Sequence, residues 1–314
     1  MKRYIIEIGL YFLLPLVLMG AVAEYSLRKI PNDYAFKNQW LTQNSKEVEI
    51  LPLGASTALY DINPQYFQKK GFNAAHVSQS LKYDHMIFEK FIDDMTSLEY
   101  VIMSIDFWSV FRELKHSHEW WRIKHYNIHY GSNFHRFEGK YNLEIYFHDI
   151  STIKRAANGA LTMLGVKNET HRTVNDQGFS VLYTISDKPV EWDKGAYQAS
   201  VHNDQIARAI LKERINENKQ YVEEIIKKCA ERNVKVVLIN VPLYKSYREN
   251  LKTEFKDYQK YFCEYFTDKY PNTLYYDFSD SPVFTEEDYY DFNHLNEMGS
   301  KKFTLMLDSL INNQ

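Results

Sequence analysis

The amino-acid sequence predicts an α/β protein, a three-layer α/β/α sandwich built on a five-stranded, mainly parallel sheet. Short apolar runs alternate with helix-like segments from residue 47 onward, and strands separated by helices pair in parallel. The run at 100–105 is apolar throughout, as buried parallel strands are. The chain has 314 residues, of which 45% are hydrophobic and 25% charged, so it can bury a large core.

Five short runs are predicted as strands. VEILPLG (48–54) is apolar and ends in glycine, FNAAHVS (72–78) leads into a polar loop, and YVIMSI (100–105) is apolar throughout. VKVVLINVP (234–242) and LYYDF (274–278) are the fourth and fifth strands. Each run is followed by polar or turn-forming residues, which predicts that the strands end there.

Helices are predicted between these strands. Residues 64–70 are helix-like, and residues 84–95 place their apolar side chains on one side. Residues 201–232 form one long or two shorter helices, and a polar, aromatic-rich helical region runs from about 244 to 270. Asn296 is predicted to cap a final helix that continues to about Ile311.

The N-terminus predicts a membrane anchor in residues 1–24. An apolar run without a polar face extends from Ile8 to Ala23, between the roughly 20 residues of a membrane span and the roughly 7 to 15 of a signal-peptide core. The small-x-small sequence that ends at Ala23 also permits cleavage after Ala23, which would give a secreted protein. We favour an uncleaved, single-pass cell-membrane protein whose body lies outside the cytoplasm.

A connector (25–46) precedes the predicted catalytic domain (47–314). Residues 109–200 interrupt the alternation after the third strand and carry seven of the eleven histidines. We expect this insertion above the carboxyl ends of the strands, where α/β sheets bind ligands. The net charge of −3 gives no basic field for nucleic acid, and two cysteines exclude a disulfide scaffold.

Few residues have the context of a catalytic group. Ser56 follows the first strand directly and Gly54 closely, where a nucleophile would be exposed at a turn. Asp291 and His294 lie between the last strand and the last helix, and a carboxylate three residues from a histidine can orient its imidazole. Taken singly, Ser56 is more typical of a helix cap than of a nucleophile, and Asp291 and His294 are also typical of an ordinary polar loop.

Together these residues resemble the SGNH (GDSL-like) hydrolase superfamily, whose fold is flavodoxin-like. The segments LPLGASTALYDINPQYF and DFNHLNEMGSKKF are similar to membrane-anchored SGNH-like proteins of cell-envelope acylation, such as teichoic-acid alanylation and alginate acetylation. The resemblance implies that Ser56 attacks an ester carbonyl, His294 transfers the proton and Asp291 orients His294. It also implies an acylated carbohydrate polymer or an acyl-donor protein as partner, with no cofactor.

The oxyanion positions depart from the family pattern. Ser78 stands where the family has a glycine whose backbone N–H stabilises the oxyanion. Asp106 stands where the family has an asparagine side chain, and an ionised carboxylate accepts hydrogen bonds without donating them. Gln79 is an alternative donor. The departure keeps a second hypothesis open, a catalytically degenerate SGNH fold that binds glycan or an assembly partner.

The insertion supports a third hypothesis, a zinc site. His116 and His118 flank Ser117, and His125 and His129 stand four residues apart, with Glu119 as a possible carboxylate ligand. Because no complete ligand motif accompanies them, we assign no metal site. The aromatic residues of this region form either a glycan-stacking wall or a small secondary core: Trp108, Trp120, Trp121, Tyr126 and Tyr130.

Overall fold

The structure, a computed structural model, describes residues 4, 7–132, 134, 137–146, 151–209 and 212–313. The chain divides into two compact units. Unit 1 comprises residues 1–38 and 120–172, and unit 2 comprises residues 39–119 and 173–314. The predicted insertion is therefore shared between the units, with its middle part in unit 1 and its two ends in unit 2.

A parallel sheet forms the core of unit 2. Its strands are β1 (Ile50–Leu53), β2 (Tyr100–Ser104), β3 (Lys235–Asn240) and β4 (Thr273–Asp277), in that spatial order. All three pairings are parallel. The first two strands are buried throughout, so both faces of the sheet are covered, as the apolar runs predict. The α/β class and the parallel pairing are thereby confirmed.

The predicted count of five strands is wrong, because residues 72–78 do not form a strand. Phe72 and Ala74 donate backbone hydrogen bonds to Ile50 and Pro52, so the segment begins alongside β1. The Asn73 side chain then accepts from the N–H of Ala75 and donates to carbonyls of residues 58 and 62. This local hydrogen bonding bends the chain after two ladder bonds.

Helices follow the strands, but the predicted helix at 64–70 is only a 3₁₀ turn, Pro64–Tyr66. In unit 2, α4 (Leu81–Phe91) packs with α9 (Lys212–Ala230), α3 (Ser56–Asp61) packs with α12 (Glu297–Asn312), and α11 (Thr253–Lys269) packs with β4. Asn296 caps the last helix by accepting from the N–H groups of Met298 and Gly299, as predicted. The helical segments Gly195–Ala209 and Lys212–Ala230 cover most of the region predicted as one long or two shorter helices over 201–232, and residues 210 and 211 between them lie outside the described residues. The helices are α1 (Leu14–Lys29), α2 (Asp33–Asn44), α3 (Ser56–Asp61), α4 (Leu81–Phe91), α5 (Ile123–His125), α6 (Gly139–Asn142), α7 (Ser151–Met163), α8 (Gly195–Ala209), α9 (Lys212–Ala230), α10 (Lys245–Arg248), α11 (Thr253–Lys269) and α12 (Glu297–Asn312).

Unit 1 contains the apolar N-terminal helix. Gly9–Lys29 is 21 residues long, and it is long and apolar enough to cross a membrane, a property that a signal sequence shares. Within the unit, α1 packs against α7. Gly159 permits this close approach, because a Cβ there would lie 2.8 Å from the Ser26 carbonyl oxygen. The carboxylate of Glu24 also accepts a hydrogen bond from the N–H of Ile145. The end of the apolar helix is therefore part of the packing of unit 1.

Candidate active site

The turn after β1 presents Ser56 at the start of α3. Gly54 has a φ of 137°, and a Cβ there would lie 3.0 Å from the Ser104 Cβ and 3.1 Å from the Ala58 Cβ. Only glycine fits this conformation and this spacing without strain. Ala55 is extended, and Ser56 is the first helical residue. The turn therefore places the Ser56 side chain at the carboxyl edge of the sheet.

The structure brings Ser56, His294 and Asp291 together. The His294 Nε2 atom lies 2.9 Å from the Ser56 Oγ atom. On the other side of the ring, His294 Nδ1 lies 3.0 and 3.1 Å from the two Asp291 carboxylate oxygens. The arrangement has the geometry of a nucleophile, a base and an orienting carboxylate.

The loop between β4 and α12 holds Asp291 and His294 in place. Asp291 Oδ1 accepts hydrogen bonds from the backbone N–H groups of Asn293 and His294, each at 3.0 Å. The N–H of Tyr290 donates to the His294 carbonyl. An aspartate that bonds the backbone two and three residues ahead forms a turn, so the Asp-x-x-His spacing itself builds the loop.

Stacked tyrosines support the histidine ring. Tyr60 and Tyr183 stack with ring centroids 3.7 Å apart, and Tyr183 stacks on Tyr290 at 3.9 Å. His294 makes edge contacts with Tyr60 and Tyr183, at 5.4 and 5.3 Å. Sequence reasoning missed this support because the three tyrosines come from distant segments.

The charges of His294 and Asp291 stabilise each other. Burial alone would raise the pKa of Asp291, but the nearby His294 and two backbone N–H groups outweigh burial, so the pKa is lowered. Burial alone would lower the pKa of His294, but Asp291, with smaller contributions from Asp61 and Asp106, raises it. Asp291 is therefore ionised and positioned to stabilise the imidazolium.

A further buried carboxyl, Asp61, connects the nucleophile helix with the histidine loop. Its Oδ1 atom accepts a hydrogen bond from the N–H of Leu295 at 2.9 Å. Its Oδ2 atom is buried and has no hydrogen-bond partner among the described residues. Burial raises the pKa of Asp61 well above its usual range, which favours the neutral acid. No sequence motif marks this residue.

Two of the three predicted oxyanion candidates reach the site. Ser78 and Asp106 line one cavity with Ser56. Ser78 has a φ of 59°, the left-handed conformation that a glycine adopts more easily. Gln79 is not among the residues that line this cavity, and its side-chain amide donates to Asp84 at 2.6 Å.

Asp106 accepts hydrogen bonds on both of its carboxylate oxygens. Its Oδ1 atom accepts from the Ser109 N–H at 2.6 Å and from the Ser109 hydroxyl at 2.8 Å. Its Oδ2 atom lies 3.4 Å from the Thr57 hydroxyl, which is also 3.0 Å from the Ser104 hydroxyl. Burial raises the pKa of Asp106, although the Ser109 donors oppose the rise. Neighbouring Asp84 is also buried, and burial raises its pKa to about 7.

The cavity has a volume of about 290 Å³ and is lined by both ends of the predicted insertion. Arg112 and Gln198 come from those ends. His202 contributes an imidazole whose Nδ1 atom lies 2.5 Å from the Tyr247 hydroxyl, and burial lowers its pKa to about 4. A second cavity of about 390 Å³ shares four lining residues with the first: Trp108, Arg112, His118 and Gln205. Sequence reasoning singled out Trp108 and His118 but missed the others.

The five aromatic residues that were predicted to form a glycan-stacking wall or a secondary core are divided between the two units. Trp108 lines the cavity with Ser56 in unit 2. Tyr126 and Tyr130 are buried within unit 1, as expected for a secondary core. Trp120 and Trp121, also in unit 1, are partly exposed.

Unit 1 contains a second cluster of titratable groups. One ligand atom from each of His125, His129 and Glu144 lies within 4.8 Å of the others, so these residues could hold a metal ion. Burial lowers the pKa of both histidines, to about 4 for His129. Burial would raise the pKa of Glu144, but His125 and Lys124 outweigh it and lower the pKa.

Comparison with known proteins adds little to this geometry. A family model that carries no description matches residues 201–314. No curated protein matches the sequence. A crystal structure of a proposed acylhydrolase from Bacteroides fragilis is similar at 9% identity and a TM-score of 0.39, over 88% of this chain and 95% of that chain. Similarity at this level carries no argument about family or activity.

Proposed function

We propose that unit 2 is a serine acyl-ester enzyme of the SGNH type, an esterase or an O-acyltransferase. The contact that supports the proposal is the 2.9 Å approach of His294 Nε2 to Ser56 Oγ, with Asp291 on the opposite ring nitrogen. These three residues come from the first and last segments of the predicted domain, in the chain order that the family resemblance implies.

The reaction follows from this geometry. Ser56 Oγ attacks the ester carbonyl carbon while its proton passes to His294 Nε2, and Asp291 stabilises the imidazolium. The tetrahedral intermediate then collapses, the carbon–oxygen bond to the alcohol breaks, and His294 returns the proton to the leaving alkoxide. The acyl group remains on Ser56. Water or an acceptor hydroxyl, deprotonated by His294, completes hydrolysis or transfer.

The oxyanion donors of this proposal are the backbone N–H groups of Ser56 and Ser78 and the side chain of Asp106. An aspartate can donate only as the neutral acid. Burial favours that form. Asp106 Oδ1 accepts two short hydrogen bonds from Ser109, whereas Oδ2 accepts a longer one, 3.4 Å, from the Thr57 hydroxyl, so we assign the proton to Oδ2. Full activity would therefore require a protonated Asp106 together with a neutral His294.

The substrate we propose is an acylated cell-envelope or exported polysaccharide, with an acyl-donor protein as partner if the enzyme is a transferase. The family resemblance suggests this class, and the cavity provides an aromatic wall at Trp108 with several polar groups around it. The helix Gly9–Lys29 would anchor the enzyme in the membrane, with unit 2 outside the cytoplasm.

The test is covalent labelling of the detergent-purified full chain with a fluorophosphonate probe. We expect labelling at Ser56 that is lost in Ser56→Ala and His294→Ala but retained in Ser186→Ala, which alters an exposed serine. Circular dichroism confirms that each variant is folded. Folded wild-type protein that fails to react, beside a known serine esterase that reacts, would refute the proposal.

Asp106 also supports a second candidate, a catalytically degenerate SGNH fold that binds glycan. An ionised Asp106 would repel an oxyanion, and loss of one donor costs about 10²–10³ in rate. Under this alternative, Ser56→Ala leaves the cellular phenotype unchanged, and glycan binds wild type and variant equally. A lost phenotype in Ser56→Ala would exclude it.

A further inference from the structure

We propose that His125, His129 and Glu144 of unit 1 form a zinc site, independent of the serine chemistry of unit 2. One ligand atom from each lies within 4.8 Å of the other two. Two imidazoles and one carboxylate are a ligand set that Zn²⁺ takes in proteins, with a fourth position left to water.

The chain brings these ligands together locally. His125 ends α5 and His129 lies in the π-helical turn Tyr126–Tyr130 that continues it. The two imidazole rings are nearly parallel, 13° apart, with centroids separated by 6.2 Å. Glu144 follows α6, and Tyr34 stacks on the His125 ring at 4.8 Å. Packing therefore limits the orientation of the His125 ring before any ion binds.

The separation of the imidazole and the carboxylate fits a shared ion. His125 Nδ1 faces Glu144 Oε1 at 3.2 Å, and Glu144 Oε2 is paired with Lys124. Two ligand atoms that each lie about 2.0–2.1 Å from a tetrahedral Zn²⁺ are roughly 3.3 Å apart. An ion could therefore bind His125 Nδ1 and Glu144 Oε1 together with little rearrangement.

Neighbouring residues fit the role of an outer shell. Lys124 Nζ lies 3.0 Å from Glu144 Oε2, which leaves Oε1 for single-atom coordination. Asn32 Nδ2 lies 3.2 Å from His129 Nε2, a contact that coordination through Nε2 would replace. His125 and Glu144 also line a cavity of about 320 Å³ in unit 1, which gives room for a water ligand. The positive charge of Lys124 opposes a bound cation, whereas the carboxylate of Glu144 attracts it.

The test measures metal binding by the full chain in detergent after dialysis against a chelator. Zinc is added alone, and its affinity is read by competition with a chromophoric chelator. Cobalt substitution reports tetrahedral coordination by visible absorption. We expect about one zinc per chain and a higher melting temperature with zinc. His129→Ala and Glu144→Gln should weaken binding by more than the 10–100-fold that loss of an outer-shell residue costs.

His116→Ala, which removes a histidine of unit 2, is the matched control and should bind zinc as wild type does. Glu144→Gln retains the side-chain shape, so it tests the ligand even if His129→Ala fails to fold. Equal zinc binding by all variants, or no binding by folded wild type, would overturn the proposal. Fluorophosphonate labelling of Ser56 does not enter these measurements, so the two proposals can fail separately.

Discussion

Replacing Asp106 with asparagine tests the proposed oxyanion stabilisation directly. The carboxyl lines the cavity with Ser56, and its Oδ1 atom already accepts two hydrogen bonds from Ser109. An asparagine oxygen can keep those two bonds while the amide nitrogen takes the position of Oδ2. The variant therefore carries a donor at every pH, whereas the wild type carries one only while Asp106 is protonated.

The magnitude follows from the protonation states. Above the pKa of Asp106, the wild type lacks one donor, and loss of one donor costs about 10²–10³ in rate, or about 2.7–4 kcal/mol. We expect Asp106→Asn to react with the fluorophosphonate about 100-fold faster at alkaline pH. The difference should shrink as the pH falls, because the wild-type carboxyl becomes protonated.

The shape of the pH profile is a second readout. The wild type needs a proton on Asp106 and none on His294, so its labelling rate should pass through a maximum. Asp106→Asn needs only neutral His294, so its rate should rise to a plateau above the raised pKa of that histidine. The assay is the second-order labelling rate at Ser56 from acid to alkaline pH.

Asp308→Asn serves as the control, because Asp308 is a buried aspartate that accepts a backbone hydrogen bond from Gln68. It should label as wild type does. If Asp106→Asn reacts no faster than wild type under alkaline conditions, the carboxyl does not face the oxyanion and the reasoning fails.

Three further predictions test the rest of the site. Asp291→Asn should lower the labelling rate by about 10⁴-fold with little change in melting temperature, because the amide favours the wrong imidazole tautomer; a tenfold effect or less would contradict the assigned role. Gly54→Ala should destabilise the fold by about 1–3 kcal/mol in urea unfolding, because a Cβ meets two side chains at a φ of 137°; unchanged stability would mean that the turn is not strained. The raised pKa of Asp61 means that the folded state holds a proton that the unfolded state releases above about pH 4, so stability falls as the pH rises from there. Asp61→Asn should flatten the dependence of the melting temperature on pH. Equal slopes for wild type and variant would refute the buried neutral acid.

The elements that position the candidate nucleophile could be predicted because their signals are local. The apolar run at 48–54 contains β1, and the glycine at its end marks the turn that precedes Ser56. Asp291 and His294 lie three residues apart, and the aspartate itself bonds the backbone of the turn. Parallel strands end at one edge of the sheet, so residues that follow distant strands meet there.

The segment 72–78 misled the prediction because its composition suits a strand while its hydrogen bonds do not. Asn73 satisfies carbonyls at the end of α3, a contact that no periodicity reveals. Gln79 is similar, since its amide bonds the buried carboxyl of Asp84. Side chains that serve distant backbone or buried partners have no signal in a single sequence.

The aspartates near Ser56 show why residue type alone does not decide the chemistry. Asp291 has a histidine and two N–H donors, so it remains ionised despite burial. Asp61, Asp84 and Asp106 are also buried, and in each of them burial outweighs the hydrogen bonds that favour the charge. Identical side chains can therefore serve as an anion beside the histidine and, in the proposed mechanism, as an acid at the oxyanion. That mechanism reaches its full rate only while His294 is neutral and Asp106 is protonated, so the overlap of those two conditions sets the maximum of the pH profile.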